Sequence, residues 1–304
     1  MWARLVECVP NLSEGRRRDV VEDIVDAAAG DGRRVVDLSL DADHHRSVIT
    51  LVGDPDRLVE GIVKLVGEAM QRIDLREHRG AHPRMGAVDV IPFVPIRGVS
   101  MADCVALSHR AGEAIAEEFG IPVYLYEESA TSERRRNLAE IRRGEFEGLG
   151  EKMRHSEWHP DYGVPRPHTT AGAVAVGARE YLIAYNINLA TSDLSVAKRI
   201  AAAVRSSSGG LRYVKALGLS LENQGIVQVS MNLTNFRKTP ILRTFELVKR
   251  EAQRHGVLVQ SSEIVGTVPR QALYDVAATE LQLEGFSPDL VLEERIEKML
   301  CEDR

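Results

Sequence analysis

"LVECVPNLSEGRRRDVVEDIVDAAAGDGRRVVDLSL", residues 5–40, reads strand, turn, helix, strand, and that order decides the fold. "LVECVP" is a short apolar run that Pro10, with no N–H to offer a ladder, is expected to stop. In "RRRDVVEDIVDAAA" the apolar residues return every three or four positions, as one face of a helix requires, with Asn11 or Ser13 placed to cap it. "RRVVDLSL" and "SVITLVG" follow as strands around the polar loop "DADHHR". "DPDRLVEGIVKLVGEAMQRID" is a helix entered through Asp54 and Pro55, and "AVDVIPFVPI" closes the unit as a strand. The order is β-α-β-β-α-β.

The same order returns from residue 181. "YLIAYNINLA" is a strand and "SDLSVAKRIAAAVRSS" a helix with Ser192 or Asp193 as its cap. "YVKALGLSLE" and "GIVQVSMNLT" alternate apolar and polar residues as a hairpin does. "PILRTFELVKREAQRHG" is a helix ending at Gly256, and "VLVQSSEIVG" is the last strand. Twice over, this is the split βαβ or ferredoxin-like pattern, so the expected class is α+β with two tandem βαββαβ subdomains, residues 1–178 and 179–304. Between the repeats lie a helix ("MADCVALSHRAGEAIAEEFG"), a strand ("IPVYLYE") and a polar stretch, 129–170, with seven arginines and three histidines. A connection that long without periodicity reads as a binding segment, and Trp158 and Tyr162 favour an ordered one. "LEERIEKMLCEDR" is a solvated terminal helix.

Composition narrows the function classes. A net charge of −6 is not the basic excess of a nucleic-acid binder. No apolar run reaches the ~20 residues a membrane span needs, and the N-terminus lacks a signal peptide's apolar stretch. Three cysteines, Cys8, Cys104 and Cys301, make neither a disulfide framework nor a zinc pattern. These features point to a cytoplasmic protein with reduced thiols.

His82, in "EHRGAHPRMGAVDVIPFVP" (77–95), stands before Pro83, which biases its backbone toward an extended form. Arg79 and Arg84 flank it and are expected to push the imidazole pKa down. A neutral ring among arginines suits a general base acting on an anion; a loop histidine held by a backbone carbonyl fits the residues equally well. His78 and His82 are four apart, but Gly80 and Pro83 break the helix a metal pair would need. Arg134, Arg135, Arg136, Arg142 and Arg143 lie among glutamates, the pattern of a self-paired surface, or of carboxylate ligands if some turn into a cleft. "TAGAVAVGAR" (170–179) lacks any phosphate-loop signature, and its small residues let backbone approach a flat ligand or a neighbouring strand. Asn186, Asn188, Asn232 and Asn235 are amides in or after strands, either lining a polar pocket or bonding to loops.

Taken in order, "LVECVPNLSEGRR", "HRGAHPRMGAVDVIPFVPIRGVS", "IPVYLYEESA", "IRRGEFEGL", "WHPDYG", "AVGAREYLIAYNINL", "QVSMNLTNF" and "EIVGTVP" resemble the formiminotransferase family along the whole chain. The resemblance implies two ferredoxin-like subdomains and a folate-dependent transfer of a formimidoyl group between N-formimidoyl-L-glutamate and N5 of tetrahydrofolate, in histidine degradation. It implies tetrahydrofolate as co-substrate, no metal, and a homodimer. The histidine of "HPRMGA", here His82, is implied as the catalytic residue. The folate segment after "PDYG" maps onto Gly163, Val164, Pro165, Arg166, Pro167, His168, Thr169, Thr170, Ala171 and Gly172, though its middle departs from the vertebrate form. The vertebrate form has an acidic residue near Ser39 that this chain lacks; where that acid assists catalysis, Asp37, Asp41 or Asp43 would substitute, with Asp37 taken first. Vertebrate members continue into a cyclodeaminase; this chain ends at Arg304, so a separate protein is expected to release the ammonia. Formyl transfer from N-formylglutamate, or folate binding without catalysis, are the alternative readings.

Overall fold

In a computed structural model the described residues are 3–42, 44–80, 82–221 and 224–302. They form a mixed α/β protein with two sheets, in two compact units, 1–180 and 181–304.

The first unit opens with β1 (Leu5–Cys8) and β2 (Asn11–Leu12), two pieces of one line that both pair antiparallel with the same two neighbours. The strand stops before Pro10, as expected, and pairing resumes at Asn11, with the Pro10 carbonyl accepting from the Ile49 N–H (3.0 Å) between the two pieces. That overturns the expected cap. Asn11 lies in the sheet, Ser13 donates to the Gly86 carbonyl, and the turn that leads into helix α1 (Arg18–Ala28) is held by Glu14, which accepts from the amides of Arg16 and Arg17. β3 (Arg33–Asp41) and β4 (Arg46–Gly53) make a hairpin. α2 (Pro55–Arg72) starts at Asp54, whose side chain accepts from the Asp56 and Arg57 amides with Pro55 in the first turn, as the sequence anticipates.

β5 (Val88–Arg97) returns beside β1 and β2. The chain then adds α3 (Met101–Phe119), closed at both ends by a Ser100/Asp103 capping box and a left-handed Gly120, and the strand β6 (Val123–Glu127). The polar stretch folds into short helices, among them α4 (Leu138–Arg142) and α5 (Glu145–Lys152), before β7 (Val174–Ala178). β7 enters between β5 and β6, parallel to both, so the strand line is β3, β4, β1 with β2, β5, β7, β6. The small residues of 170–179 thus serve a neighbouring strand. A Cβ on Gly177 would meet the Tyr126 carbonyl at 2.4 Å and that ring's edge at 2.6 Å, so glycine lets the tyrosine lie across β7.

One face of this sheet buries Leu12, Ile49, Leu51, Ile91 and Phe93 against α1, α2 and α3. On the other, over β5, β7 and β6, Val90, Tyr124, Tyr126 and Ala175 pack under Ile141 of α4 and Leu149 of α5. This second layer carries charge along with apolar groups, and it sets up the site.

The second unit runs β8 (Ile183–Leu189), α6 (Leu194–Val204, capped by Asp193), β9 (Val214–Leu221), β10 (Ile226–Leu233), α7 (Ile241–Arg254) and β11 (Val259–Val265). Its strands lie in the order β11, β8, β10, β9, every neighbour antiparallel. Alternation buries Ile183, Tyr185, Ile187 and Leu189 of β8 against α6 and α7 and turns Asn186 and Asn188 away. α8 (Arg270–Glu280) and α9 (Leu292–Glu302) complete the unit. No described helix is long and apolar enough to cross a membrane.

Candidate active site

Three other stretches of the chain converge on the ring of His82. Arg46, the first residue of β4, brings Nη1 to 2.8 Å from His82 Nδ1. The same guanidinium donates to Asn11 Oδ1 from Nε (3.0 Å) and Nη2 (2.8 Å), and to Asp89 Oδ2 from Nη1 (3.1 Å). Asp89 is wholly buried, accepts from the Met85 N–H (2.8 Å) through its other oxygen, and holds Arg142 Nη2 at 2.5 Å. One carboxylate therefore fixes two guanidiniums beside one imidazole.

Local structure explains the convergence. Val88 packs on the helix side of the sheet and Val90 on the other, which strict alternation forbids; the register of β5 against β2 shifts between them. Such an irregularity re-aims a side chain, and Asp89 stands at it. Arg142 ends α4, a helix of five residues whose terminal carbonyls need partners. Lys152 supplies them, donating from Nζ to the carbonyls of Glu140, Ile141 and Arg143 while its ammonium rests 4.0 Å from the Trp158 ring.

The electrostatics follow. Burial first, then the charges of Arg46 and Arg142, push the His82 imidazole down to about 3, with Asp89 opposing only in part. Burial alone would raise the Asp89 carboxyl, but Arg142, Arg46 and the Met85 amide hold it below its usual range. Burial draws Arg46 down to about 10, so it stays charged at neutral pH. The direction at His82 is the expected one, but its cause is not. Arg84 turns away, buried between His78 and the carboxylates of Glu145 and Glu147, and Arg79 donates to the carbonyls of Arg76 and His78.

His82 Nδ1 also lies 2.6 Å from the Pro83 carbonyl. Arg46 can only donate and a carbonyl can only accept, so the two neighbours ask for opposite tautomers of the ring. A proton on Nδ1 satisfies Pro83 and leaves Nε2 free to act as a base. A bare Nδ1 satisfies Arg46 and puts the proton on Nε2.

The remaining candidates fall around this centre. Ala171 and Gly172, the end of the folate segment, are stitched to the His82 turn. The Ala87 N–H donates to the Ala171 carbonyl (3.0 Å) and the Ala173 N–H to that of Met85 (3.0 Å). The backbones touch there, for a Cβ on Gly172, at φ +68, would meet the Met85 carbonyl at 2.1 Å. His168 closes its own turn, its Nδ1 accepting from the Ala171 amide (3.1 Å), and the Thr170 carbonyl accepts from the Leu75 amide. Gly163, Val164, Pro165, Arg166 and Thr169 are exposed, Pro167 half-buried. Asp37 sits opposite Thr50 on β3, and Asp41 opposite Arg46. Asp41 holds His44 Nδ1 at 2.8 Å, and the His44 ring lies 6.3 Å from that of His82. Asp43 lies outside the described residues. His78 bonds to the His45 carbonyl, and no cluster of three metal-ligating side chains occurs among the described residues.

Family models match both units: the formiminotransferase domain, N-terminal subdomain, over residues 5–179, and the formiminotransferase domain over 184–299. The chain belongs to the formiminotransferase family. It is 50% identical over 297 residues to the glutamate formimidoyltransferase of Thermoplasma acidophilum, covering 97% of this chain and 98% of that one. With the glutamate formimidoyltransferase of Streptococcus pyogenes serotype M1 the identity is 49%, over 93% and 95% of the two chains. The formimidoyltransferase-cyclodeaminase of Gallus gallus is 42% identical over 96% of this formiminotransferase chain and 54% of its own length.

Sequence reasoning passed over Arg46, Asp89 and Glu7 of this formiminotransferase, took Asn11 as a candidate helix cap, and set Arg142 among surface arginines. Arg134, Arg136 and Arg143 do pair with surface glutamates, whereas Arg142 and Arg135 turn inward, Arg135 onto Asp161 (2.8 Å). One signal was available: a single acid inside an apolar run, Asp89 in "AVDVIPFV" and Glu7 in "LVEC", is costly unless it has a task. Glu7 is 5% exposed, and burial pushes it up to about 7 although Arg179 pulls it back. It shares a face with Asn11, roughly 13 Å along the same strand line.

Proposed function

We propose that this chain is a folate-dependent transferase moving a formimidoyl group between N-formimidoyl-L-glutamate and N5 of tetrahydrofolate, a step of histidine degradation, with His82 as its base. The single observation that carries the mechanism is the imidazole held neutral at the end of the Arg46–Asp89–Arg142 network. The two glutamate formimidoyltransferases of half-identical sequence, matched end to end, support the reaction.

In the forward direction N5 attacks the amidine carbon and the N5–C bond forms. His82 Nε2 takes the N5 proton and gives it to the α-nitrogen of glutamate as the C–Nα bond breaks. The CH=NH group has moved one way and one proton the other, so a single two-way imidazole suffices. Gly163 to Gly172 line the folate side in this reading, because their far end joins the His82 turn. Asp37, on the face that also carries Arg46, is the further carboxylate available to the amidine.

The finer fold reading is that both units are ferredoxin-like and the class α+β, with 1–178 and 179–304 as the two formiminotransferase subdomains; the order β11, β8, β10, β9 supports it for the second. We place the protein in the cytoplasm, where buried free thiols such as Cys8 and Cys104 stay reduced. We read its state as a homodimer, which sedimentation reports.

The test is turnover. Purified protein with tetrahydrofolate should consume N-formimidoyl-L-glutamate; consumption of N-formylglutamate instead, or of neither, would replace this function. His82→Ala should lower kcat by ~10²–10⁴ while tetrahydrofolate affinity stays within about threefold. Near-normal turnover in that variant removes His82 from the chemistry.

A further inference from the structure

We infer that Arg142 and Arg46 form the seat for the α-carboxylate of the N-formimidoyl amino acid, and that filling this seat is what makes His82 a working base. The inference rests on the transferase reading above and adds the part of the substrate that is recognised and how recognition turns on catalysis.

The charge at the site is unbalanced. Arg46 and Arg142 share one carboxylate, Asp89, and face a neutral ring. The nearby acids are taken elsewhere: Asp41 by His44, Glu145 and Glu147 by Arg84. Burial at Arg46 and Arg142 is high, with 10% and 16% of the side chains exposed, so the surplus is little screened by water. The two arginines also differ in what they have left to give. Arg46 uses Nε, Nη1 and Nη2 on Asn11, Asp89 and His82. Arg142 spends Nη2 on Asp89, and its Nε is buried with no partner. A guanidinium in a buried site of surplus positive charge suits a planar acceptor such as a carboxylate.

The chemistry of the substrates says which carboxylate. In N-formimidoyl-L-glutamate the α-carboxylate hangs on the carbon that bears the reacting nitrogen. N5 of tetrahydrofolate sits in a fused ring with no carboxylate near it, and the distal carboxylate of glutamate is separated by two further carbons. An anion seat that touches the base therefore matches the α-carboxylate, and seating it brings the amidine to the imidazole.

Occupancy changes the ring. An added negative charge offsets the guanidiniums that hold the imidazole's basicity down, and it competes for Arg46. With that claim on Nδ1 loosened, the tautomer that carries its proton on Nδ1 and donates it to the Pro83 carbonyl 2.6 Å away is favoured over the one protonated on Nε2, and Nε2 is bare when N5 must lose its proton. Without the substrate carboxylate the same ring is too poor a base to act, so water and stray amines are not activated.

The experiment has two arms. In the first, wild type and Arg142→Lys, which keeps a cation for Asp89 but lacks the planar fork, are assayed with N-formimidoyl-L-glutamate and with N-formimidoyl-4-aminobutyrate, which has no α-carboxylate. Arg142→Lys should raise KM for the first by about 10- to 100-fold with KM for tetrahydrofolate unchanged, and the two proteins should use the second equally poorly. In the second arm, on wild type alone, ¹⁵N spectra of His82 are followed against pH with L-glutamate or 4-aminobutyrate added. L-Glutamate should move the titration up by a unit or more, and 4-aminobutyrate should not. Equal KM values, or a His82 titration indifferent to L-glutamate, overturn the seat while leaving the transferase standing. A wild type that turns over no formimidoylglutamate brings down both.

Discussion

The two units string strands and helices in the same order and then arm their sheets with opposite kinds of polar group. On the first sheet Glu7, Arg46 and Asp89 are buried charges or groups able to carry one. On the second the face turned away from the helices carries amides. Gln228 donates to Asn188 (2.9 Å) and Glu263 (3.1 Å), Asn186 to Glu263 (3.0 Å), and Asn188 to Ser261 (3.0 Å). An amide donor meets its hydrogen bonds without itself titrating. A buried charge network costs more to assemble and responds to pH and to ions, which is what proton transfer requires. The first sheet thus buries ionisable groups where the second carries amides.

The contrast can be broken most sharply at Asp89. Removing its charge leaves Arg46 and Arg142 buried against each other, and losing one partner of a buried ion pair typically costs ~3–5 kcal/mol. Asp89→Asn should lower the free energy of unfolding in urea by about that amount and release the hold on His82. A loss under ~1 kcal/mol would mean that the two cations are held by something other than this carboxylate.

Glu7 tests the same contrast through pH. Its folded value of about 7 lies above the ordinary 4.5, so between those limits the folded chain keeps a proton that the unfolded chain has lost. Stability is then fullest below pH 4.5 and declines as pH rises toward 7, by roughly 3 kcal/mol on the scale of 1.36 kcal/mol per unit. Glu7→Gln should flatten this decline, melting with wild type near pH 4.5 and above it at pH 8. Parallel curves for the two proteins would show that Glu7 keeps its ionised form on folding.

How legible this was depends on distance along the chain. The order of elements, the Asp54–Pro55 helix start, the Asp193 cap and the β9–β10 hairpin are local matters, and periodicity and capping chemistry disclose them. Pro10 ends its strand as expected, but the resumption of pairing at Asn11 depends on the next strand, whose Ile49 amide meets the Pro10 carbonyl. The site is harder still. Arg46 meets Asp89 across 43 positions, and no spacing rule joins them. Neighbours in sequence mislead as well. Arg84 stands two residues from His82 and faces α5, while Arg142, sixty residues on, sets the charge at its ring. The resemblance names His82 but is silent on what surrounds it.

The smallest effect belongs to the second sheet, and its smallness is informative. Gln228 is 5% exposed and gives both its hydrogen bonds to side chains, so Gln228→Leu removes one bond to an amide and one to a carboxylate and leaves Asn188 and Glu263 to find other donors. At about 0.5–1.5 kcal/mol per net bond, softened by the remaining bonds of Asn186 and Asn188, the loss should be about 1 kcal/mol. Since no proton is gained or lost at an amide, the difference from wild type should be level from pH 5 to pH 8, measured by urea unfolding at each pH. A difference that changes with pH would show that an ionisable group is coupled to Gln228, which would bring the second sheet closer to the first than its amides imply.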